Sequence, residues 1–478
     1  MRGAVQIAMP SSIAAEVFVL AAFPCSAAVL CRALARLPSE SRKKNLLAAA
    51  IVISIAAKIA LAGIGHNNDV GCYIDYNNLI AQGKNLYTAI DYYNYGPFWG
   101  WFVSGVGRLA SPASGERFHM WIAAFLAVSD ALTAVLLARF YSWPAAMVFL
   151  LSPVGFLISG YHSQIETVAL LLGLTAWLQV RKGNPRPRAL WTSAVCAGLS
   201  LAVKHILALF PMCLLFWRPL GRLRDRLLYA AAAYGVLVAS FLPWLGDPVS
   251  RAGVVKHVLF YRSGTAWGTA WLPTVFTLAL PASASAALLR IVHGPSGAEE
   301  LWLVGLATAT AVLAHKRFEH LFFLYLLLLF TTAPQVGPSY VVVPMLAAAV
   351  LWRCWESWMF VFFAGWAAFC NTDNVGMFVF RALPTLHVHG HSYYVADLMS
   401  GPATRLFLLT SQACAGALMI RLLRRRGSGV TPSETVRIRT RLGRVAAVAA
   451  AGGVPALVPW AQALIAHYHY GKVMIFPQ

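Results

Sequence analysis

The sequence predicts an all-α integral membrane protein, a polytopic bundle of about 12–14 transmembrane helices with long non-cytoplasmic loops. Three observations predict this fold class. Apolar residues make up 59% of the 478 residues and charged residues only 12%, against about 25% charged in an ordinary soluble domain. Apolar runs approaching about 20 residues, the length that spans a bilayer as a helix, recur from end to end. The gaps between the runs hold most of the 38 Lys and Arg.

The net charge of +21 does not indicate a nucleic-acid partner. The basic residues concentrate in alternate gaps, at 32–45, 181–188, 218–226 and 421–444, as the positive-inside rule places them. Their predicted partner is the lipid of the cytoplasmic leaflet. Continuous apolar runs also exclude an outer-membrane barrel, whose strands alternate, and the composition excludes a soluble enzyme and a disordered protein.

The predicted elements follow in order from the apolar runs. A run at about 11–31 precedes its positive charges, unlike a signal peptide, so residues 1–45 are interpreted as an N-terminal anchor helix and a basic cytoplasmic loop. A second helix, at about 46–64, leads to the outer face. Further helices are predicted near 118–138, 142–159, 165–180, 189–203, 205–218, 227–245, 299–314, 318–333, 340–352, 355–371, 404–423 and 445–465.

Three long segments are predicted on the outer face, at 65–117, 246–298 and 372–403. The cytoplasmic gaps are mostly short and basic, and 424–444 is expected to be a mobile loop. The chain is thus expected to form one transmembrane domain over 1–478, multi-pass in the cell membrane, with its function on the non-cytoplasmic side. An endoplasmic-reticulum membrane remains the alternative.

The first outer segment carries an acid and many aromatic residues. Asp69 lies where an apolar helix emerges into water, which suits a general base; the alternative is a solvated helix-end residue. Asp75, Tyr87 and Tyr95 follow among other tyrosines. Aromatic faces and carboxylates of this kind can hold a sugar, and the alternative is an aromatic belt at the membrane interface.

Two further positions are unusual for membrane helices. A polar turn at 160–166, including Tyr161, His162 and Gln164, lies between two apolar helices and is costly unless it faces a cavity. Lys204, followed by His205, interrupts another apolar run. A buried cation needs an anion, either a ligand phosphate or an ion-pair partner; Glu166 and Asp130 are the alternatives.

The second outer segment adds cations beside aromatic residues, with Lys256 and Arg262 as candidate phosphate ligands; contact with lipid headgroups is the alternative. Histidines alternate at His387, His389 and His391 in the third segment, but no acid cluster accompanies them, and a solvated loop is favoured over a metal site. The cysteines form no CxxC pair, so neither a zinc site nor a disulfide framework is predicted. No metal and no cofactor is expected.

Taken in order, these residues resemble the GT-C superfamily of polytopic glycosyltransferases, which use polyprenyl-phosphate-linked sugars, and its mannosyl- and glucosyltransferases in particular. The resemblance spans 46–352. It rests on motifs in a fixed order on one side of the membrane: Asp69, Gly83 to Tyr87, Tyr95-Gly96-Pro97, His162 with Gln164, Lys204 to Pro211, and Gln335, Tyr340 and Pro344. Two departures are a single Asp, preceded by Asn68, instead of an acidic pair, and the additional N-terminal helix.

The resemblance implies transfer of a hexose, mannose or glucose, from a polyprenyl-phosphate sugar to the hydroxyl of a lipid or glycan acceptor. It implies Asp69 as the general base. Lys204, His205, Lys256 and Arg262 are then expected to bind the donor phosphate. The residues expected to bind sugar or acceptor are Asp75, Tyr87, Tyr95, Tyr161, His162, Gln164, Gln335 and Tyr340. A transporter or flippase, or an O-antigen ligase or polymerase, are the alternative functions.

Overall fold

The computed structural model describes residue 29 and residues 31–64, 68–110, 115–259, 298–315, 320–333, 336–370, 385–388 and 391–424. The predicted helix at 445–465 lies outside the described residues, and so does the predicted loop at 424–444 except Arg424, which ends a helix. Nearly all of the predicted helix at 11–31 also lies outside the described residues.

The described chain is predominantly helical, as the sequence predicts. Its helices are α1 (Glu40–Ile64), α2 (Asn68–Ala81), α3 (Leu86–Ala89), α4 (Pro97–Leu109), α5 (Gly115–Phe140), α6 (Trp143–Leu150), α7 (Pro153–Gly155), α8 (Glu166–Val180), α9 (Pro187–Val203), α10 (Phe210–Leu214), α11 (Leu223–Leu245), α12 (Pro248–Val254), α13 (Ala298–His315), α14 (Leu321–Thr332), α15 (Val342–Val350), α16 (Trp355–Cys370) and α17 (Val395–Arg424). Segments Phe156–Tyr161 and Val255–Leu259 are π-helical, and His205–Leu207, Arg218–Leu220 and Pro338–Val341 are 3₁₀-helical.

Within the described residues, four helices are long and apolar enough to cross a membrane: Glu40–Gly63, Gly115–Phe140, Leu223–Leu245 and Leu406–Arg424. A fifth crossing results if Trp143–Leu150 and Pro153–Tyr161, bent by 44°, form one broken span. Other apolar helices are shorter, such as Glu166–Val180 with 15 residues. At 1.5 Å per residue such a helix is about 22 Å long, less than the roughly 30 Å of the hydrocarbon core. The described chain therefore has membrane-spanning candidates, but the count of 12–14 is not confirmed.

Two predicted continuous helices are broken in the structure. The one at 205–218 is divided among His205–Leu207, Phe210–Leu214 and Arg218–Leu220, with Pro211 in the first turn of α10. The one at 142–159 stops at Leu150. Ser152 then caps a new start by accepting a hydrogen bond from the Val154 N–H, and Pro153 is the first helical residue. Proline lacks an N–H and favours a helix start over a helix interior, so both predictions of continuity were wrong.

The outer segments also contain regular structure where the sequence indicates loops. In 65–117, helices α2 and α4 pack against each other. In 372–403, strands β1 (Thr385–Val388) and β2 (His391–Tyr394) pair antiparallel, with Val388 opposite His391. Helix α17 begins at Val395, nine residues before the predicted start.

The helix ends that carry basic residues lie near one another. Trp143 Nε1 donates to Glu40 Oε2 at 3.1 Å, which joins the starts of α1 and α6. The Arg181 guanidinium lies 5.4 Å from the centroid of the Phe140 ring, at the ends of α8 and α5. The opposite ends of α5, α8 and α9 are free of such basic groups apart from Arg117 and Lys204. The helices thus have a basic end and an opposite end, and the candidate site lies at the opposite end.

Candidate functional site at the opposite end of the bundle

The site is built around the segment 162–166, which follows the π-helical turn and starts α8. All five residues are buried. The backbone is held by the preceding turn: the carbonyl of Leu157 accepts from the His162 N–H at 2.8 Å, and that of Ile158 accepts from the Gln164 N–H at 3.0 Å. Ser163 has φ +51°, in the left-handed region. Non-glycine residues adopt this conformation only where their surroundings impose it.

Asp69 and Gln164 meet at this segment. Asp69 lies in the first turn of α2, where the helix dipole favours a carboxylate, and it is half-buried. Gln164 Nε2 donates to Asp69 Oδ2 at 2.5 Å. Gln164 is only 3% exposed, so the partner of the Asp69 carboxylate is buried. The contact orients Asp69 as a base would need to be oriented.

Lys204 contacts the same segment at Glu166, two residues after Gln164. Lys204 is extended, at φ −154° and ψ 134°, and ends α9. Its Nζ is 3.6 Å from Glu166 Oε1, and both side chains are buried. Of the partners weighed for Lys204, Glu166 is the one observed. Asp130 is not that partner because it pairs with Lys58.

Two aromatic rings flank the Lys204 ammonium. Its Nζ lies 4.1 Å from the centroid of the Tyr95 ring and 5.9 Å from that of Tyr340. Tyr340 is half-buried in the 3₁₀ turn before α15. Cation–π contacts of this kind are worth about 0.5–2 kcal/mol each, so the rings help to retain the charge in a buried position.

The tyrosines of the first outer segment pack against one another. Tyr73, Tyr76, Tyr93 and Tyr95 are all buried, and the Tyr76 and Tyr93 ring centroids are 4.9 Å apart at an angle of 89°. Tyr87 is also buried, and its hydroxyl donates to the Tyr95 carbonyl at 3.2 Å. These rings thus form an aromatic core next to Lys204, and the predicted binding of a sugar by Tyr87 and Tyr95 stays a prediction.

This aromatic core is joined to α9 through Gly96. The Gly96 N–H donates to the Val203 carbonyl at 3.4 Å. A Cβ on Gly96 would overlap the carbonyl oxygen of Ala202. The absence of a side chain at Gly96 is thus what allows Tyr95 to approach Lys204.

The other predicted site residues are buried or half-buried, exposed, or outside the described residues. His205 is half-buried beside Lys204, and Tyr161 and His162 are buried with ring centroids 5.8 Å apart. Asp75 and Lys256 are exposed. Arg262 and Gln335 lie outside the described residues, as do the side chains of the alternating histidines.

The start of the second outer segment packs on the first. Asn85 Nδ2 donates to Ser250 Oγ at 2.5 Å. Asp247 caps α12, and the hydrogen bonds from Ser250 lower its pKa. His257, next to Lys256, lies 3.4 Å from Asp91. This part of the predicted cationic rim thus contains an acid partner, Asp91, whose pairing with His257 the sequence did not predict.

Sequence reasoning also missed Lys58, although the signal was available. Lys58 is a lone cation in the apolar run at 46–64, the same feature that singled out Lys204. In the structure, its Nζ is 2.6 Å from Asp130 Oδ2, and both side chains are fully buried. Among the residues that the structure describes, no three His, Cys, Asp or Glu side chains gather as a metal site would.

The fold and the site together define a helical protein with several membrane-spanning candidates and a buried cluster of polar side chains at one end. Comparisons with protein-family models, with curated proteins and with solved structures give no match.

Proposed function

We propose that this chain is a membrane glycosyltransferase that moves a hexose from a polyprenyl-phosphate sugar to an acceptor hydroxyl. One observation carries the proposal: Asp69 and Lys204, from distant parts of the chain, contact Gln164 and Glu166, two residues apart on one buried segment. A base for the acceptor and a cation for the leaving phosphate are the two groups that this reaction needs close together.

In the proposed reaction, the acceptor oxygen forms a bond to C1 of the sugar while the bond from C1 to the phosphate oxygen breaks. The acceptor proton passes to Asp69, which Gln164 orients. The departing phosphate gains negative charge, and Lys204 stabilises that charge more strongly in the transition state than in the bound donor. Attack from the face opposite the phosphate gives inversion at C1.

The donor's chain constrains where this site can lie. A polyprenyl tail stays in the hydrocarbon, so the sugar must enter from the side at the level of one leaflet. By the positive-inside rule, the basic helix ends are cytoplasmic, and the site then opens at the outer leaflet. Mannose and glucose are the proposed sugars, and a lipid or a glycan is the proposed acceptor.

The test is transfer in proteoliposomes that contain the purified chain, a polyprenyl-phosphate mannose or glucose with a radiolabelled sugar, and a membrane extract as the acceptor source. For Asp69→Asn we expect transfer to fall by about 10²–10⁴-fold, the usual contribution of general base catalysis, while donor binding persists. Glu116→Gln is the matched control, since Glu116 is an exposed acid in the first turn of α5. Undiminished transfer by the Asp69 variant would remove Asp69 from this role, and no transfer of either sugar by the native chain would overturn the proposal.

A transporter or flippase is the second candidate, and two observations favour it. The pair α6 and Pro153–Tyr161 is bent by 44°, and Lys58 and Asp130 form a buried ion pair between two membrane-spanning candidates. Broken helices and buried charges are features of transporters. In the same proteoliposomes, movement of the intact labelled donor across the bilayer, without cleavage of its phosphate bond, would support this function instead.

A further inference from the structure

The ion pair between Lys58 and Asp130 lies outside the candidate site and calls for a reason of its own. Lys58 is on α1 and Asp130 on α5, both membrane-spanning candidates. The two side chains are 0% and 1% exposed, and Nζ lies 2.6 Å from Oδ2. Buried pairs of this kind are often no more stabilising than apolar side chains of similar volume. Stability alone therefore does not explain why Lys58 and Asp130 are buried between these two helices.

Lys58 directly supports the segment that leads to the site. A Cβ on Gly160 would be 3.1 Å from both Cα and O of Lys58, so α1 and the π-helical turn are in close backbone contact. A Cβ on Gly155 would lie 3.7 Å from Lys58 Nζ. The ammonium is also 5.7 Å from the centroid of the Phe156 ring. The π-helical turn thus packs on the backbone of Lys58 at Gly160 and on its ammonium at Phe156. Turns of this kind occur frequently at functional sites.

The same turn determines the position of the site residues. Its carbonyls at Leu157 and Ile158 accept from the N–H groups of His162 and Gln164. A displacement of the turn would therefore be transmitted through these hydrogen bonds to Gln164, the partner of Asp69. It would reach Glu166, the partner of Lys204, along the two residues of chain that follow Gln164.

We infer that Lys58 and Asp130 are positioning residues: their ion pair fixes the turn at 155–161 so that Gln164 meets Asp69 and Glu166 meets Lys204. The significance of this positioning for catalysis rests on the proposed function. The effect of the ion pair on the position of Gln164 can be measured without any assay of sugar transfer.

The test measures the approach of residues 69 and 164 by cross-linking. Asp69→Cys and Gln164→Cys are introduced together into the full-length chain in proteoliposomes, and the linked peptide is quantified by mass spectrometry during mild oxidation. The variant of interest adds Lys58→Met and Asp130→Leu, which remove both charges but keep apolar volume. Arg421→Met with Glu356→Leu is the control, because this pair, at 2.8 Å and with Arg421 40% exposed, joins α16 and α17 instead.

For the Lys58 and Asp130 double variant we expect cross-linking to slow by about 2- to 30-fold, the range by which residues remote from a site alter coupling to it. The control pair should cross-link at the native rate. Native-rate cross-linking in the folded double variant would overturn the inference. If the double variant does not fold, Asp130→Glu decides. It retains the charge and adds one methylene, so we expect slower cross-linking, and an unchanged rate would again overturn the inference.

A second readout connects the geometry with the reaction. With Asp69 and Gln164 intact, the Lys58 and Asp130 double variant is expected to lose about 10²-fold in kcat, the effect of a displacement of about 1 Å, with a smaller change in KM. If the native chain transfers no sugar, the proposed function fails while the cross-linking result still decides the inference. An unchanged kcat in an active enzyme would contradict it.

Discussion

Lys204 and Lys58 give the same signal in the sequence, a single cation in an apolar run, yet their surroundings differ. Lys204 has one carboxylate at 3.6 Å and two aromatic rings beside its ammonium. Lys58 has a carboxylate at 2.6 Å, one aromatic ring at 5.7 Å, and Gly155 and Gly160 beside it. Because the distance from Lys204 to Glu166 is the longer of the two, the charge of Lys204 interacts less strongly with its carboxylate. At the residue scale, Lys204 is therefore the cation better suited to exchange its partner for a phosphate.

The residue-scale prediction concerns Lys204→Met, which keeps the length of the side chain and removes its charge. We expect apparent donor affinity and transfer rate to fall together by about 10- to 100-fold, since hydrogen bonds to charged groups are worth about 1.5–3 kcal/mol. The measurement is the transfer rate against donor concentration. Lys84→Met is the control because Lys84 is exposed in the turn after α2. An unchanged apparent donor constant for the Lys204 variant would count against a phosphate contact.

At the scale of elements, the site depends on helix ends and breaks. Asp69 lies in the first turn of α2, Lys204 is the C-cap of α9, and Glu166 starts α8. The break at Ser152 and Pro153 redirects the chain, and the turn that follows presents Gln164. Polar groups at helix ends can contact one another without replacing intrahelical hydrogen bonds. The helix ends thus bring the polar side chains together, while the apolar side chains of the same helices pack in the core.

The element-scale prediction tests the close contact between the turn before α4 and the end of α9. Gly96→Ala would place a Cβ on the Ala202 carbonyl, so the two elements must separate. We expect a loss of about 1–3 kcal/mol or more, as for overpacked cores, together with displacement of Tyr95 from Lys204. Gly105→Ala is the control, since a Cβ there meets nothing within 4 Å and alanine favours a helix.

Thermal unfolding in detergent, followed by the loss of helical circular dichroism, measures this difference. The Gly96 variant should unfold at a lower temperature than the native chain, whereas the Gly105 variant should unfold at the same or a higher temperature. Equal melting temperatures for the Gly96 variant and the native chain would contradict the close contact between Gly96 and the Ala202 carbonyl.

At the scale of the whole molecule, the separation of a basic end from the end that holds the site is the main feature. The basic groups at 181–188 and 218–226 are joined by contacts such as the Asn184 N–H to the Pro219 carbonyl at 2.6 Å. A groove near them is lined by Trp191, Arg218 and Arg222 among others. It lies at the basic end, away from Asp69 and Lys204, and so has no part in the proposed chemistry.

The prediction at this scale concerns orientation in the membrane. The eight native cysteines are first replaced by serine. Single cysteines at Glu116, near the site end, and at Lys182, at the basic end, are then labelled in intact cells with a membrane-impermeant maleimide. We expect Glu116→Cys to react in intact cells and Lys182→Cys to react only after permeabilisation, because the basic end is expected to be cytoplasmic. Labelling of both from outside, or the reverse pattern, would contradict the proposed orientation of the site.

The helical class and the candidates Asp69, Gln164 and Lys204 follow from the amino-acid sequence. Continuous apolar runs and clustered basic residues are local properties of the chain, and they predict helices and their alternate ends directly. Glu166 was foreseen as one possible partner of Lys204. Its choice over Asp130 could not be made from the sequence, since either carboxylate would satisfy a buried cation.

Which side chains contact one another depends on the packing of the helices. Burial of the tyrosine rings against one another, the pairing of Lys58 with Asp130, and the meeting of Asp69 with Gln164 all join residues from separate helices. Such contacts depend on how whole helices pack and where prolines and glycines interrupt them. Apolar patterning fixes which segments enter the membrane, but the pairing of the few buried charges follows from the helix arrangement as a whole.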